Sequence, residues 1–219
     1  KLYTFVIMVL DKKVAEQTVN FLTQINAIKL NTKNPFTWTS GIKSPIYCDN
    51  RLVLSYPKIR EFIADNMCHI IKNKYGNDIS IAGVATGAIA VGSMISERLN
   101  VPYAYVRPEP KGHGLKNQIE GNIEDKSNVV VIEDLISTGK SSLNAINALR
   151  SEGLNVMGML SIFSYSFDSA NKKFINEKVT INSLADYNTL VEIIESSGGL
   201  QNDEIIRLKK WREDPENWS

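Results

Sequence analysis

Residues 129–142 read Val129-Val130-Val131-Ile132-Glu133-Asp134-Leu135-Ile136-Ser137-Thr138-Gly139-Lys140-Ser141-Ser142. Four consecutive apolar residues, all β-branched, predict a strand buried on both faces, and two acids stand at its end. A run of small hydroxylated residues and glycine then leads into a helix. In an open parallel sheet, ligands bind at the carboxyl ends of strands, over helix N-termini. Ser137, Thr138, Gly139, Ser141 and Ser142 can supply hydroxyls and backbone N–H groups to a phosphate at the positive end of that helix. Glu133 and Asp134 can accept hydrogen bonds from sugar hydroxyls or face a metal ion. A simple polar N-cap would explain the hydroxyls. It would not explain a carboxylate pair at the end of a buried strand, which is costly without partners.

Outward from this stretch the pattern alternates. Ile79–Ala85, Val101–Val106, Asn128–Ile132 and Asn155–Phe163 read as strands, with helices over Gly87–Leu99 and Ser141–Glu152. Apolar strands alternating with helices imply an α/β fold whose parallel sheet is covered on both sides. A helix opens at Tyr56-Pro57 and runs through Lys74, and an amphipathic helix covers Val14–Ile28. Between them Asn34–Leu54, with two prolines and a glycine, reads as turns and short strands. Ala185–Ser219 reads as helical. Without repeats, low-complexity tracts or a linker, residues 1–219 form one expected domain.

Composition narrows the function. Of 219 residues, 43% are hydrophobic and 22% charged, enough for a sizeable core. Lys plus Arg number 25 against 24 Asp plus Glu, so a broad electrostatic footprint for nucleic acid or an anionic membrane is not expected. Two cysteines, Cys48 and Cys68, and two histidines support neither a disulfide framework nor a structural zinc site, and suit a reducing, cytoplasmic setting. The apolar run Leu2–Leu10 is about half a membrane span and precedes Asp11-Lys12-Lys13 rather than a cleavage site. Residues 1–7 are expected to be an expression remnant or an upstream extension, with Met8 a natural start. Gly139-Lys140-Ser141 imitates the end of a nucleoside-triphosphate loop, but that motif needs glycine where Asp134 stands. No G-x-G-x-x-G follows a strand.

Two more segments carry chemistry. Arg107–Lys116 holds one Arg, two Lys and a His among Gly112, Gly114 and two prolines, suited to a lid that closes over a polyanion. Ala85-Thr86-Gly87-Ala88 is a second candidate anion loop, since small residues let backbone amides approach a ligand. His69, inside the 57–74 helix, reads as structural.

Val129–Ser142 resembles the 5-phosphoribosyl-1-pyrophosphate (PRPP) motif of type I phosphoribosyltransferases. Phe36–Tyr47 (FTWTSGIKSPIY) resembles the F-T-x-x-S-G-x-x-S-P signature of orotate phosphoribosyltransferases, and Tyr105–Gly114 (YVRPEPKGHG) resembles their R-x-x-x-K-x-H-G catalytic loop. Ile119-Glu120-Gly121 and the W-R-x-D-P ending agree with the same family. The resemblance implies a type I phosphoribosyltransferase sheet with a small N-terminal hood from about residues 10–55. It implies Mg²⁺-dependent phosphoribosyl transfer from PRPP to orotate in pyrimidine synthesis. Purine phosphoribosyltransferase and non-catalytic PRPP sensor are the alternatives. PRPP would be held by Arg107, Lys111, His113, Glu133, Asp134, Leu135, Ile136, Ser137, Thr138, Gly139, Lys140 and Ser141, with Lys111, His113 and Asp134 catalytic. Orotate would lie against Ser137, Tyr165, Ile46 and Tyr47. Mg²⁺ would be held mainly through PRPP and water, without direct protein ligands. A homodimer is implied, the 107–116 loop reaching the neighbouring subunit's site, with no nucleic-acid or membrane partner. The sequence departs from the family pattern at five places. Thr39 and the lysine-free 85–88 loop stand where some members carry lysine, Pro108 where some carry another basic residue, Lys140 where a small residue is common, and Tyr165 where some place a base-contacting arginine.

Overall fold

The computed structural model describes residues 8–38, 40–110 and 118–218. The chain opens with strand β1 (Met8–Val9) and helix α1 (Lys12–Gln24), then four short strands, β2 (Ile28–Leu30), β3 (Phe36–Thr37), β4 (Lys43–Ser44) and β5 (Ile46–Cys48). A 3-10 turn over Asn50–Ser55 leads into α2 (Pro57–Tyr75). Next come β6 (Ser80–Val84), α3 (Ile89–Leu99), β7 (Tyr103–Val106), β8 (Ile119–Gly121), β9 (Asn128–Ile136) and α4 (Lys140–Ser151). The rest is β10 (Asn155–Ser164), α5 (Asp168–Asn176), β11 (Ile181–Asp186), α6 (Tyr187–Ser197) and α7 (Asn202–Glu213).

Seven strands form the main sheet in the order β1-β11-β10-β9-β6-β7-β8, parallel except for the antiparallel edge pair β7–β8. The chain builds outward from β6 to β8, then returns to β9 and builds the other way. The crevice between the carboxyl ends of β6 and β9 is therefore the topological switch point, where ligands bind in open α/β sheets. The expected α/β class with a mostly parallel, helix-flanked sheet is what the structure contains. Val129–Ile132 and Leu160 are fully buried, as a strand covered on both faces requires. The short strands β2 and β5 pair antiparallel, as do β3 and β4, so two small hairpin-like pairs sit over the sheet's end. Among the described residues no helix is long and apolar enough to cross a membrane.

Several boundaries differ from the sequence expectations. The opening helix ends at Gln24, because the chain reverses at Asn26, in the left-handed region at φ 57°, and Ile28 already belongs to β2. Strand β9 does not stop at Ile132: Glu133, Leu135 and Ile136 stay paired with Ser161, Phe163 and Ser164 of β10, so the two acids lie within the strand rather than after it. The 185–219 region begins as strand, since Ala185 and Asp186 end β11, and its two helices are separated at Gly198, which adopts φ 68°. Strands β1, β8 and β11 and helix α5 were not marked by the sequence reading. Residues 1–7 lie outside the described residues.

Candidate functional site

Strand β9 delivers the acids, and the loop after it delivers the hydroxyls. Gly139 makes the turn into α4 at φ 75°, in the left-handed region, with the Phe174 ring 2.9 Å from where a Cβ would stand. Glycine meets both constraints. Lys140 and Ser141 then occupy the exposed first turn of α4.

The paired acids have different surroundings. Glu133 is 3% exposed and accepts hydrogen bonds from Ser142 Oγ at 3.0 Å, Ser141 Oγ at 3.4 Å and the Asp134 backbone N–H at 3.2 Å. Burial, and then the Asp134 charge beside it, push its carboxyl well above the usual carboxylate range. Asp134 is also raised by burial, against hydrogen bonds and the Arg51 charge that act the other way. Its carboxylate faces Gly87, where any Cβ would collide with it. The candidate anion loop Ala85–Ala88 thus lies directly against Asp134 across the switch-point crevice, and glycine is the residue that permits this approach.

Two cavities flank the loop that follows β9. One, of about 1000 Å³, runs along the Ala85 turn, the α4 N-terminus and the Arg107–Glu109 segment, and Ser137, Thr138, Lys140 and Ser141 line it. The other, of about 320 Å³, lies under the hood, between Trp38, Ser40, Tyr47 and Cys48 on one side and Leu135, Ser137, Thr138 and Tyr165 on the other. Ser137 and Thr138 line both, so the loop between β9 and α4 is the wall the two share.

At the edge of the larger cavity, Arg107 is half-buried. Its backbone N–H donates to Gln118 at 2.8 Å while Gln118 Nε2 donates back to the Arg107 carbonyl at 2.9 Å. These bonds clamp the base of the segment that joins β7 to β8. Asn144 of α4 adds a bond to the Pro108 carbonyl at 2.8 Å. Arg107 Nη1 lies 3.4 Å from Glu120, and its buried Nε has no hydrogen-bond partner among the described residues. Lys111 and His113 lie outside the described residues, as do Lys116 and Thr39.

Under the hood, Tyr165 is 1% exposed and sits in an aromatic cluster, its ring 5.0 Å from Trp38, 5.6 Å from Trp211 and stacked on Phe167 at 5.5 Å. Burial raises its phenol well above the ordinary value. Trp211, fully buried, is carried in from α7 and donates its indole N–H to the Lys43 carbonyl at 2.9 Å. Tyr47 is 41% exposed on the hood side of the cavity. Ile46 is placed differently: its side chain is fully buried, its N–H donates to Ser44 Oγ, and its carbonyl accepts from Ser44 Oγ and Trp38 Nε1. Ile136 is likewise core, its carbonyl accepting from the Tyr165 N–H at 2.9 Å. His69 is exposed on α2, beside Asn73 and away from both cavities.

Three site residues escaped the sequence reading. Lys173, on α5, lines the larger cavity with its ammonium 3.4 Å from the Thr138 carbonyl. Asn50, 1% exposed, donates to the Asp134 carbonyl at 2.7 Å. Cys48 lines the hood cavity. Only their place directly after the Phe36–Tyr47 motif hinted at the last two; nothing local hinted at Lys173.

Comparison with known proteins adds an independent line. The phosphoribosyl transferase domain family matches residues 53–184. Orotate phosphoribosyltransferase of Bacteroides thetaiotaomicron is 46% identical over 197 residues, 90% of this chain and 93% of that protein. The protein of the same name from Phocaeicola vulgatus is 46% identical over 209 residues, 95% of this chain and 97% of its own length. The crystal structure of orotate phosphoribosyltransferase from Aeropyrum pernix superposes with a TM-score of 0.72 at 29% identity, over 84% of this chain and 99% of that one.

Proposed function

The chain belongs to the orotate phosphoribosyltransferases, and from that premise we propose that it transfers the 5-phosphoribosyl group of PRPP to orotate in pyrimidine synthesis. The products are orotidine 5'-monophosphate and pyrophosphate. The observation that carries this reading is the shared wall: one loop, Ser137–Thr138, borders both a large cleft, into which Arg107, Lys140 and Lys173 bring positive charge, and a small aromatic cavity. Two substrates that must meet at one carbon need such a junction.

In the reaction the bond from ribose C1 to pyrophosphate oxygen breaks as the bond from C1 to the orotate ring nitrogen forms. Positive charge develops on the sugar and negative charge on the leaving group, so positioning and electrostatics do most of the work. Ser137, Thr138, Gly139 and Ser141, with the α4 N-terminus, receive the 5'-phosphate. Lys140 and Lys173 flank it. Leu135 and Ile136 hold the loop's approach, Leu135 at the cavity wall and Ile136 in the core. Asp134 accepts from the ribose hydroxyls and faces the growing positive charge, while Glu133, held by Ser141 and Ser142, fixes the strand end beneath it. Arg107, whose Nε has no partner among the described residues, suits the departing pyrophosphate, and Lys111 and His113 are assigned there with it, one of them as proton donor. Orotate lies in the hood cavity against Ser137, Tyr47 and Tyr165, with Ile46 shaping the hood from behind.

Mg²⁺ fits this donor set as an ion carried by the substrate. Among the described residues no group of three or more His, Cys, Asp or Glu side chains could hold a metal, and a hard cation that retains waters needs only one or two carboxylates beside phosphate oxygens. Asp134 is the carboxylate nearest that role. When bound, the ion neutralises diphosphate charge. A homodimer, with the 107–116 loop serving the neighbouring site, and a cytoplasmic setting complete the proposal. Two free, buried thiols suit a reducing compartment.

The test is PRPP- and Mg²⁺-dependent loss of orotate absorbance, run beside adenine, hypoxanthine and uracil. Turnover of orotate alone is the expected result. Purine turnover without orotate turnover would overturn the base assignment, and PRPP binding without any turnover would favour a sensor.

A further inference from the structure

We propose that Asn50 is a positioning residue that ties the orotate cavity to the ribose-binding carboxylate, acting through Asp134. The proposal rests on the reading above in which Asp134 serves the ribose.

Strand β9 is held on both edges only as far as Ile132, its last partner on the β6 side being Gly83. Beyond it, residues 133–136 have strand support from β10 alone. Asp134 lies in this half-supported stretch, where its carboxylate must stay against the Gly87 turn. Asn50 reaches down from the hood, 84 positions away in sequence, and its Nδ2 donates to the Asp134 carbonyl at 2.7 Å. Its Oδ1 accepts from the Cys48 thiol at 3.2 Å. The amide orientation follows from chemistry: turned over, the Asn50 oxygen would meet the Asp134 carbonyl oxygen, two acceptors face to face.

Cys48 lines the orotate cavity, and burial, followed by the Asp134 and Asp49 charges, keeps its thiol protonated and able to donate. Cys48, Asn50 and Asp134 therefore form a continuous buried hydrogen-bond chain from the hood cavity to the main chain of the residue whose carboxylate faces Gly87. The neighbouring Asp49 is committed elsewhere, to a two-point pair with Arg51 at 2.7 and 2.8 Å. An asparagine 1% exposed, with one end of its amide on a thiol that lines the hood cavity and the other on the main chain of Asp134, does more than fill space.

The experiment is a double-mutant cycle on the full-length protein with Mg²⁺, PRPP and orotate. Asn50→Leu keeps the branched shape, at a larger volume, and removes both bonds. Its kcat should fall about tenfold, with each KM changed less than about threefold, at a temperature well below both unfolding midpoints. In an Asp134→Asn background the same substitution should cost less than about twofold, because its effect passes through Asp134. Asn50→Ser, which is smaller, serves if leucine prevents folding. A kcat within twofold of wild type for a folded Asn50 variant, or fully additive losses with Asp134→Asn, would overturn the proposal. Should Asp134→Asn retain full activity, the role given to Asp134 falls, and the positioning role falls with it. An impaired Asp134→Asn beside an unimpaired Asn50 variant removes the positioning role alone.

Discussion

The phosphate loop and the hood cavity share Ser137 and Thr138 but are built in opposite ways. The loop's donors come from one continuous stretch, 133–142, in which strand, turn and helix N-terminus follow one another, so its geometry is set locally by Gly139 and by the α4 start. The hood cavity takes its walls from residues 38–48, from the end of β9 and from Tyr165, and rests on Trp211 from the far end of the chain. A local site withstands loosening elsewhere in the molecule. An assembled one depends on every segment docking. Damage to the aromatic cluster should therefore weaken orotate far more than PRPP.

Trp211→Ala tests this contrast most severely. The side chain is fully buried, meets Trp38, Tyr165, Phe167 and Tyr187, and bonds to the Lys43 carbonyl. Its removal should cost about 3–5 kcal/mol in urea unfolding. KM for orotate should rise at least about tenfold while KM for PRPP moves less than about threefold, because the phosphate loop is built without it. Equal rises in both constants would show that the two cavities share one scaffold and would break the comparison.

Glu133→Gln probes the sheet side and has a smaller effect. In the folded protein the Glu133 carboxyl is raised by burial and by Asp134, so the native state holds its proton to higher pH than the unfolded chain does. Stability then falls as pH rises from the unfolded carboxylate value, near 4.3, through the raised native value. Glutamine keeps an oxygen for Ser141 and Ser142 and carries no charge. The ligand-free variant should gain stability relative to wild type as pH rises, with a higher unfolding midpoint at pH 7.5 than at pH 4.5 when each is compared with wild type at the same pH. Thermal unfolding midpoints across that range measure it, and parallel pH profiles for the two proteins would mean that Glu133 carries no such burden.

The same contrast explains what the sequence disclosed. Val129–Ser142 was legible because its apolar run and its turn chemistry are contiguous, and the 57–74 helix because Pro57 and Gly76 punctuate it. Strand β11 was not. Its sequence, Ile-Asn-Ser-Leu-Ala-Asp, looks too polar for a buried strand, yet all six residues are buried. Asn182 is satisfied by Lys74 and the Met8 carbonyl, Ser183 by Ser161, and Asp186 by capping α6 at Thr189. Those partners lie 22 to 174 positions away, apart from the cap, and no local pattern announces them. The extension of β9 to Ile136 escaped for a related reason: its last residues are held by pairing with β10 rather than by their own propensity. Asn50 and Lys173 reach the site the same way, through contacts made only once hood and sheet have met.

Tyr165→Phe addresses the boundary between the two regions and should have the smallest effect. The ring is fixed by Trp38, Phe163, Phe167, Tyr187 and Trp211, and phenylalanine preserves that packing, so unfolding should shift by less than about 1 kcal/mol. What the substitution removes is the hydroxyl, which makes no hydrogen bond within the protein among the described residues while the side chain lines the hood cavity. With its ionisation pushed well above 10, the phenol is a neutral donor throughout any practical assay range. One neutral hydrogen bond is worth about 0.5–1.5 kcal/mol, so KM for orotate should rise roughly two- to tenfold, by the same factor at pH 7 and pH 9, with KM for PRPP unchanged. Where some relatives place an arginine, a charged contact would carry more, and the modest size of this change is what separates a tyrosine donor from such a contact. An unchanged orotate KM would make Tyr165 purely part of the aromatic scaffold and would move the base contact wholly onto Ser137 and the Tyr47 side of the hood.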